Sequence, residues 1–270
     1  MNKDTLQNYA ENEIRDTEAN VSLLVYDFMK QEPLLSFQPE RKLVSASTIK
    51  TQIMLAVFDR VQKGALSLTQ RIPVPCCEIL EDTEVFNCGQ KDCTLEELVT
   101  WMIINSDNTA TNILIELLGM EAINAYIRTL GLHETVLERK MLDRDAIKAG
   151  RNNYTSARDQ LLTFTKLYEN EILTPELCGL AADILRRQRD CSLALRYLCP
   201  PGVTFAHKTG GLDHLNHDCG VFRIPGHTYY FGCFVTDAVD DTEKNPVAGR
   251  LIGRLSKAVY EYYAALKESI

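Results

Sequence analysis

Strand-forming segments sit at both ends of this chain and helices fill the middle, and that order limits the fold more than any other feature. Residues 4–19 predict a polar helix beginning near Asp4. Val21 to Asp27 is rich in β-branched and aromatic residues and predicts a strand, with shorter strands around Leu34 to Phe37 and at Leu43 and Val44. From Ser47 the period changes: Ile49, Ile53, Met54, Val57 and Val61 recur at helical spacing, and Gly64 is placed to end that helix. Thr94 followed by Glu97 is a capping-box signature. Helical patterns then cover 94–104, 108–118, 121–130, 156–169 and 175–188. The tail returns to strands at Val203 to Lys208, Cys219 to Ile224 and Thr228 to Thr236, with a turn at Pro225-Gly226 and a closing helix over 243–267. Strands from both ends must meet in one sheet, so the expected class is α+β. A helical insertion would lie between the two ends of the chain, with a cleft where the halves meet. The expected organisation is one domain over 1–270, its α/β part about 1–60 and 191–270 and its helical part about 61–190.

Composition removes several function classes. A net charge of −8, with no block of basic residues to follow a phosphate backbone, argues against a nucleic-acid partner. No run approaches the roughly 18 apolar residues that a membrane span needs. The polar start from Met1 to Tyr9 is not a secretory signal, so the expectation is a cytoplasmic protein, or a secreted one whose leader has been removed. The cysteines stand at 76, 77, 88, 93, 178, 191, 199, 219 and 233; an odd number at irregular spacing predicts reduced thiols. Only Cys76, Cys77, Cys88 and Cys93 are dense enough to suggest a metal, and they lack paired C-x-x-C spacing. No metal and no cofactor is expected.

Three short strings carry chemistry. In Ser47-Thr48-Ile49-Lys50 the lysine lies one helical turn from the serine, on the same face. A serine hydroxyl attacks a carbonyl only when a base takes its proton, and a lysine serves if burial or nearby positive charge lowers its pKa. The helix start adds free N–H groups for a developing oxyanion. Ser106-Asp107-Asn108 falls at a break between helices and offers a second hydroxyl and an amide able both to donate and to accept. Lys208-Thr209-Gly210, followed by Gly211, ends a predicted strand whose edge can dock a carbonyl while Lys208 and Thr209 face a carboxylate. Each string alone has a bland reading: a surface pair, an N-cap, a lysine before a turn. By average residue usage, S-D-N and K-T-G each arise by chance in roughly one chain in twenty. Both together, in this order after the chain's one S-x-x-K, make coincidence a poor explanation.

With these strings the chain resembles the class A β-lactamases and the related penicillin-binding D,D-peptidases, and Ser106 to Asn112 (S-D-N-T-A-T-N) is especially similar to the class A form. The resemblance implies a mostly antiparallel sheet with flanking helices beside an all-helical region, and a serine hydrolase with Ser47 as acylated nucleophile and Lys50 as its proton acceptor. It implies Ser106 as the route of a proton to the leaving group, Asn108 as the holder of the substrate amide, and Lys208 with Thr209 as the carboxylate clamp. The oxyanion hole would be the N–H groups of Ser47 and Gly211. The implied partner is a small molecule or peptide bearing a carboxylate; the oligomeric state is not legible.

The match breaks at one place. Class A enzymes carry an E-P-x-L-N loop whose glutamate directs the deacylating water. Aligned through Leu137-Glu138-Arg139, that glutamate falls on Met141, which cannot activate water. Slow release of the acyl group is therefore expected. Asp143 and Glu138 are the candidate substitutes, although Glu138 and Arg139 are expected to form an ion pair within the loop. The alternatives that stay open are a penicillin-binding or sensing module with little turnover and a cytoplasmic amidase or esterase of the same fold. His207, His214 and His217 cluster near the third string without metal-protease spacing; one of them is a candidate to line the cleft, whereas His207 reads as an ordinary strand residue. The acidic run at Asp237, Asp240 and Asp241 reads as a solvated turn, and Trp101 and Tyr126 as core.

Overall fold

The computed structural model describes residues 1–267 apart from Cys88, Asp240 and Glu243. Helix α1 (Lys3–Arg15) leads into strands β1 (Asn20–Asp27), β2 (Glu32–Phe37) and β3 (Leu43–Val44). A single 3-10 turn, Ala46–Ile49, opens α2 (Lys50–Gln62), and a small hairpin follows from β4 (Arg71–Pro73) and β5 (Asp92–Thr94). The helical middle comprises α3 (Leu95–Ile104), α4 (Asn108–Leu118), α5 (Met120–Thr129), α6 (Arg144–Lys148), the two-residue β6 (Tyr154–Thr155), α7 (Ala157–Tyr168) and α8 (Pro175–Arg186). The chain closes with β7 (Thr204–Leu212), β8 (Leu215–Ile224), β9 (His227–Thr236) and α9 (Val247–Lys267).

The principal sheet has the order β2-β1-β9-β8-β7, every pair antiparallel, so strands from the two ends of the chain meet where β1 lies beside β9. Alternation along β1 sorts its side chains between two cores. Val21, Leu23 and Val25 pack with Leu6 and Ala10 of α1 and with Leu251, Leu255 and Val259 of α9. Leu24 points the other way, into a core shared with Ile53 and Val57 of α2, Leu98 and Met102 of α3, and Phe164 of α7. Full burial of each such side chain contributes roughly 1.5–3 kcal/mol. Strand β7 is the sheet's edge, and the cleft opens beside it.

Several boundaries differ from expectation for local reasons. Helix α1 starts under an Asn2 cap, whose side chain accepts from Thr5 N, and stops at Arg15. The capping box at Thr94 and Glu97 is present in both directions. Strand β8 begins at Leu215, not Cys219. Its first residues, Asn216, His217 and Asp218, look like a polar loop, yet each side chain finds a partner inside the fold, in Asp241, the Val44 carbonyl and His207 respectively. Strand β7 likewise runs on to Leu212, which places Lys208-Thr209-Gly210 within the strand and not at its end. The short β4–β5 pair and the five-residue α6 give no periodic signal and were not expected.

Candidate active site

Three elements converge at the cleft: the Ala46–Ile49 turn, the Ser106–Asn108 turn between α3 and α4, and β7. Ser47 is half-buried within the 3-10 turn, and Lys50, fully buried, is the first residue of α2. Ala46, directly before Ser47, has φ 44°, and Ser106 has φ 55°. Left-handed backbone at non-glycine residues costs on the order of 1–3 kcal/mol and persists only where the surroundings enforce it. The first outlier precedes one of the hydroxyls that the sequence singled out, and the second carries the other.

The Lys50 ammonium spends all three donors on the second turn. Nζ donates to the Ser106 carbonyl at 2.5 Å, to Asn108 Oδ1 at 2.7 Å and, more weakly, to Ser106 Oγ at 3.3 Å. Lys208, also fully buried, donates to Ser106 Oγ at 3.0 Å and to the Thr209 carbonyl at 2.8 Å. Two lysine side chains thus meet on one serine, and neither has a carboxylate within ion-pair distance among the described residues. Burial, followed by the charge of Lys208, pushes the Lys50 pKa well below the usual lysine value, with Asp107 and Asp82 opposing. Burial lowers Lys208 to about 8, opposed by Asp190 and Asp218. Both lysines therefore give up a proton more readily than an exposed lysine does.

Asp107 caps α4, its Oδ1 accepting from Ala110 N at 2.7 Å, and its other oxygen accepts from Thr83 Oγ1. The Asn108 amide is engaged at both ends, because its Nδ2 donates to Asp82 Oδ2 at 2.6 Å. Strand β7 comes close to the 3-10 turn because residue 210 is glycine. A Cβ there would stand 3.1 Å from Ser47 N and 3.2 Å from both Ala46 Cβ and Ser45 O. Gly211 follows on the exposed end of the strand, paired opposite Asn216. Thr209 and Ser106 line a cleft of about 310 Å³, with Glu84, Asn105, Arg189 and Asp190 on its walls. A cavity of about 260 Å³ between α7, α8 and the β7–β8 pair holds none of these motif residues.

The loop over 137–153 is held by asparagines. Asn112 of α4 grips the main chain of Met141 from both sides, accepting from its N–H at 2.7 Å and donating to its carbonyl at 3.2 Å. Asn124 does the same for Leu137, and Asn153 accepts from the N–H groups of Glu138 and Arg139. Met141 is buried, and Leu142 after it has φ 57°. The expected Glu138–Arg139 ion pair does not form: both side chains turn to Asn152. Arg139 Nε donates to Asn152 Oδ1 at 2.9 Å, and exposed Glu138 accepts from Asn152 N at 3.3 Å. Asp143 is the N-cap of α6, accepting from Ala146 N at 2.9 Å.

The histidines diverge. His207 is buried and its Nδ1 lies 2.7 Å from Asp218 Oδ1. His217 is buried with Nε2 2.9 Å from the Val44 carbonyl, and burial lowers its pKa to about 4. His214 turns to the Ala238 carbonyl beside a separate groove containing Lys42 and Tyr154, so no histidine lines the cleft at Ser106. Trp101 and Tyr126 pack against the larger core. Asp241 accepts from Asn216 Nδ2 and from Ala248 N, and is a strand-to-helix brace; Asp240 lies outside the described residues. Cys76 and Cys77 are exposed and Cys93 is buried, while Cys88 lies outside the described residues. Among the described residues no cluster of three or more histidine, cysteine or acidic side chains is arranged for a metal, and no helix is long and apolar enough to cross a membrane. Asp82 on Asn108 and Asp190 on the cleft wall were not singled out by the sequence, and Asn112 entered only as the last residue of the S-D-N-T-A-T-N string. Only their place in the fold gives them a role.

Comparison with known proteins identifies the family and the fold. The model of the Beta-lactamase enzyme family matches residues 3–263. The extended-spectrum β-lactamase PER-1 of Pseudomonas aeruginosa is 25% identical, the match covering 90% of this chain and 82% of PER-1. β-Lactamase VEB-1 of the same organism is 24% identical over 96% of this chain and 91% of its own. Among solved structures, a β-lactamase from Sphaerobacter thermophilus superposes with a TM-score of 0.86 at 27% identity, covering 97% of each chain. PBP-A superposes with a TM-score of 0.85 at 28% identity, over 97% of this chain and 96% of that one. The chain belongs to the beta-lactamase enzyme family, as a class A β-lactamase-like serine hydrolase.

Proposed function

We propose that this protein forms an acyl-enzyme at Ser47 with a β-lactam or a related carboxylate-bearing amide or ester, and releases it slowly. The observation that carries the reading is the meeting of two buried lysines, both with lowered pKa, on Ser106 Oγ. In its neutral form, which burial favours, Lys50 keeps two N–H donors for the Ser106 carbonyl and Asn108 Oδ1, and its lone pair takes the proton of Ser47 as Oγ bonds to the substrate carbonyl carbon. The negative charge that develops on the carbonyl oxygen is met by the N–H groups of Ser47 and Gly211, which Gly210 allows to approach each other. As the carbon–nitrogen bond breaks, the leaving nitrogen takes its proton from Ser106 Oγ, which is resupplied from Lys50. Charged Lys208 and the Thr209 hydroxyl hold the substrate carboxylate, and the Asn108 amide holds the substrate amide.

Hydrolysis of the resulting ester needs a base for water. The loop offers Met141, whose thioether has no useful basicity, while Asp143 is committed to a helix cap and exposed Glu138 to a backbone N–H. Support for β-lactam recognition also comes from a PBP-A variant, 27% identical with a TM-score of 0.85, solved as an acyl-enzyme complex with penicillin G. The test is intact-mass spectrometry of the protein mixed with a penicillin and with a cephalosporin, with Ser47→Ala as control. A one-to-one adduct that outlasts many minutes in the parent and is missing in the variant is expected; no adduct with either class contradicts the reading.

A further inference from the structure

Asp82 has a position that the acylation chemistry does not require. Its carboxylate is exposed, on a loop fastened to the start of α4 at three adjacent points. Leu80 N donates to Thr109 Oγ1 at 2.9 Å, Thr83 Oγ1 donates to Asp107 Oδ2, and Asp82 Oδ2 accepts from Asn108 Nδ2 at 2.6 Å. Thr83 Oγ1 also lies 3.2 Å from Val85 N and Phe86 N, and Phe86 is buried, so the loop is seated and Asp82 is held in place. No lysine, arginine or histidine forms an ion pair with Asp82 among the described residues.

The Asn108 amide nitrogen has two N–H groups. One goes to Asp82, leaving the other for the carbonyl of the substrate's acyl-side amide, so that carbonyl and the Asp82 carboxylate share one nitrogen as neighbouring acceptors. A cationic amine on the carbon next to the carbonyl would reach the Asp82 carboxylate, whereas an anion at that carbon would be repelled. We propose that Asp82 is a specificity residue that selects acyl donors carrying an amine on the carbon beside the amide bound by Asn108. With Lys208 on the opposite side holding the carboxylate, the preferred substrate is zwitterionic. This proposal rests on the acyl-enzyme reading above and names the substrate class of that site.

Three penicillins that differ at this one carbon test it: ampicillin with an amine, penicillin G with hydrogen, carbenicillin with a carboxylate. Second-order rates of Ser47 acylation are read by intact mass for the parent protein, Asp82→Asn and Glu81→Gln. The parent is expected to favour ampicillin over penicillin G by about tenfold, the scale of one hydrogen bond to a charged group, and carbenicillin is expected to be slowest. Asp82→Asn brings the three within about threefold of each other, while Glu81→Gln, which removes a charge from the same loop and not from Asn108, keeps the order. Equal rates in the parent, or an order that survives Asp82→Asn, overturn the assignment of Asp82 and leave the acyl-enzyme standing. Absence of any adduct with all three penicillins overturns the acyl-enzyme reading and Asp82's role with it.

Discussion

Helix α4 anchors two segments through its first turns, and they are built from opposite chemistry. At Asn108 it carries the Ser106 turn, where two fully buried lysines are held on hydroxyl, amide and carbonyl oxygens, with no carboxylate at ion-pair distance among the described residues. At Asn112 it carries the 137–153 loop, where neutral amides of Asn112, Asn124 and Asn153 tie down main chain. Buried lysines without ion-pair partners destabilise the fold and survive where their altered proton affinity is used. Amide clamps stabilise the backbone that they hold and bring no proton chemistry. On the proposed reading, the first segment forms the acyl-enzyme and the second fixes a shape without supplying a base.

The contrast is broken most severely at the nucleophile. Ser47→Ala is expected to lower acylation by about 10³-fold or more, as loss of a nucleophile does elsewhere. If adduct formation persists in the variant, read by intact mass, the label sits elsewhere and the first segment has been misassigned. Lys50→Met removes the proton acceptor while keeping an unbranched side chain, and a loss of about 10²- to 10⁴-fold in acylation rate is expected, with the folded state checked by circular dichroism. Met141→Glu sharpens the comparison from the other side. A carboxylate placed on the main chain gripped by Asn112 is expected to shorten the acyl-enzyme lifetime by about tenfold or more, followed as adduct mass against time.

Smaller effects separate charge from clamp. Lys208 loses its proton as pH rises through about 8, and with it the attraction for a substrate carboxylate. Acylation by a penicillin should therefore fall above that pH, and the fall should be absent for an ester substrate lacking the carboxylate. Asn112→Ala leaves two Met141 backbone groups without partners, and a loss of about 1–3 kcal/mol in unfolding free energy is expected from denaturant titration.

Periodic features of the fold were legible in the sequence, and so was the chemistry carried by contiguous residues. The helix from Ser47 to Gly64, the Thr94 capping box and the Pro225-Gly226 turn rest on local signals, and those elements stand where the signals put them, apart from the 3-10 opening of the first. The start of β8 was hidden because Asn216, His217 and Asp218 find partners 25, 173 and 11 residues away. The Ser106 turn and Lys208 are separated by about 100 residues and were linked only by resemblance; the fold brings Lys208 Nζ to 3.0 Å from Ser106 Oγ. Asp82 gave no signal because an aspartate in a polar loop is ordinary, and its place on Asn108 depends on how that loop seats on α4. The expected Glu138–Arg139 pair failed because Asn152 offers each side chain a polar partner, an outcome that sequence adjacency does not reveal.

The most direct test of the central claim is the ratio of acylation to deacylation rates at Ser47, from a pre-steady-state time course of adduct mass with one penicillin. The proposed division of labour predicts fast formation of a single adduct, then release slower by at least about a hundredfold, the scale that general-base assistance to water contributes. Release as fast as acylation, in the parent protein with Met141 in place, would contradict it and show that another group in the cleft activates water.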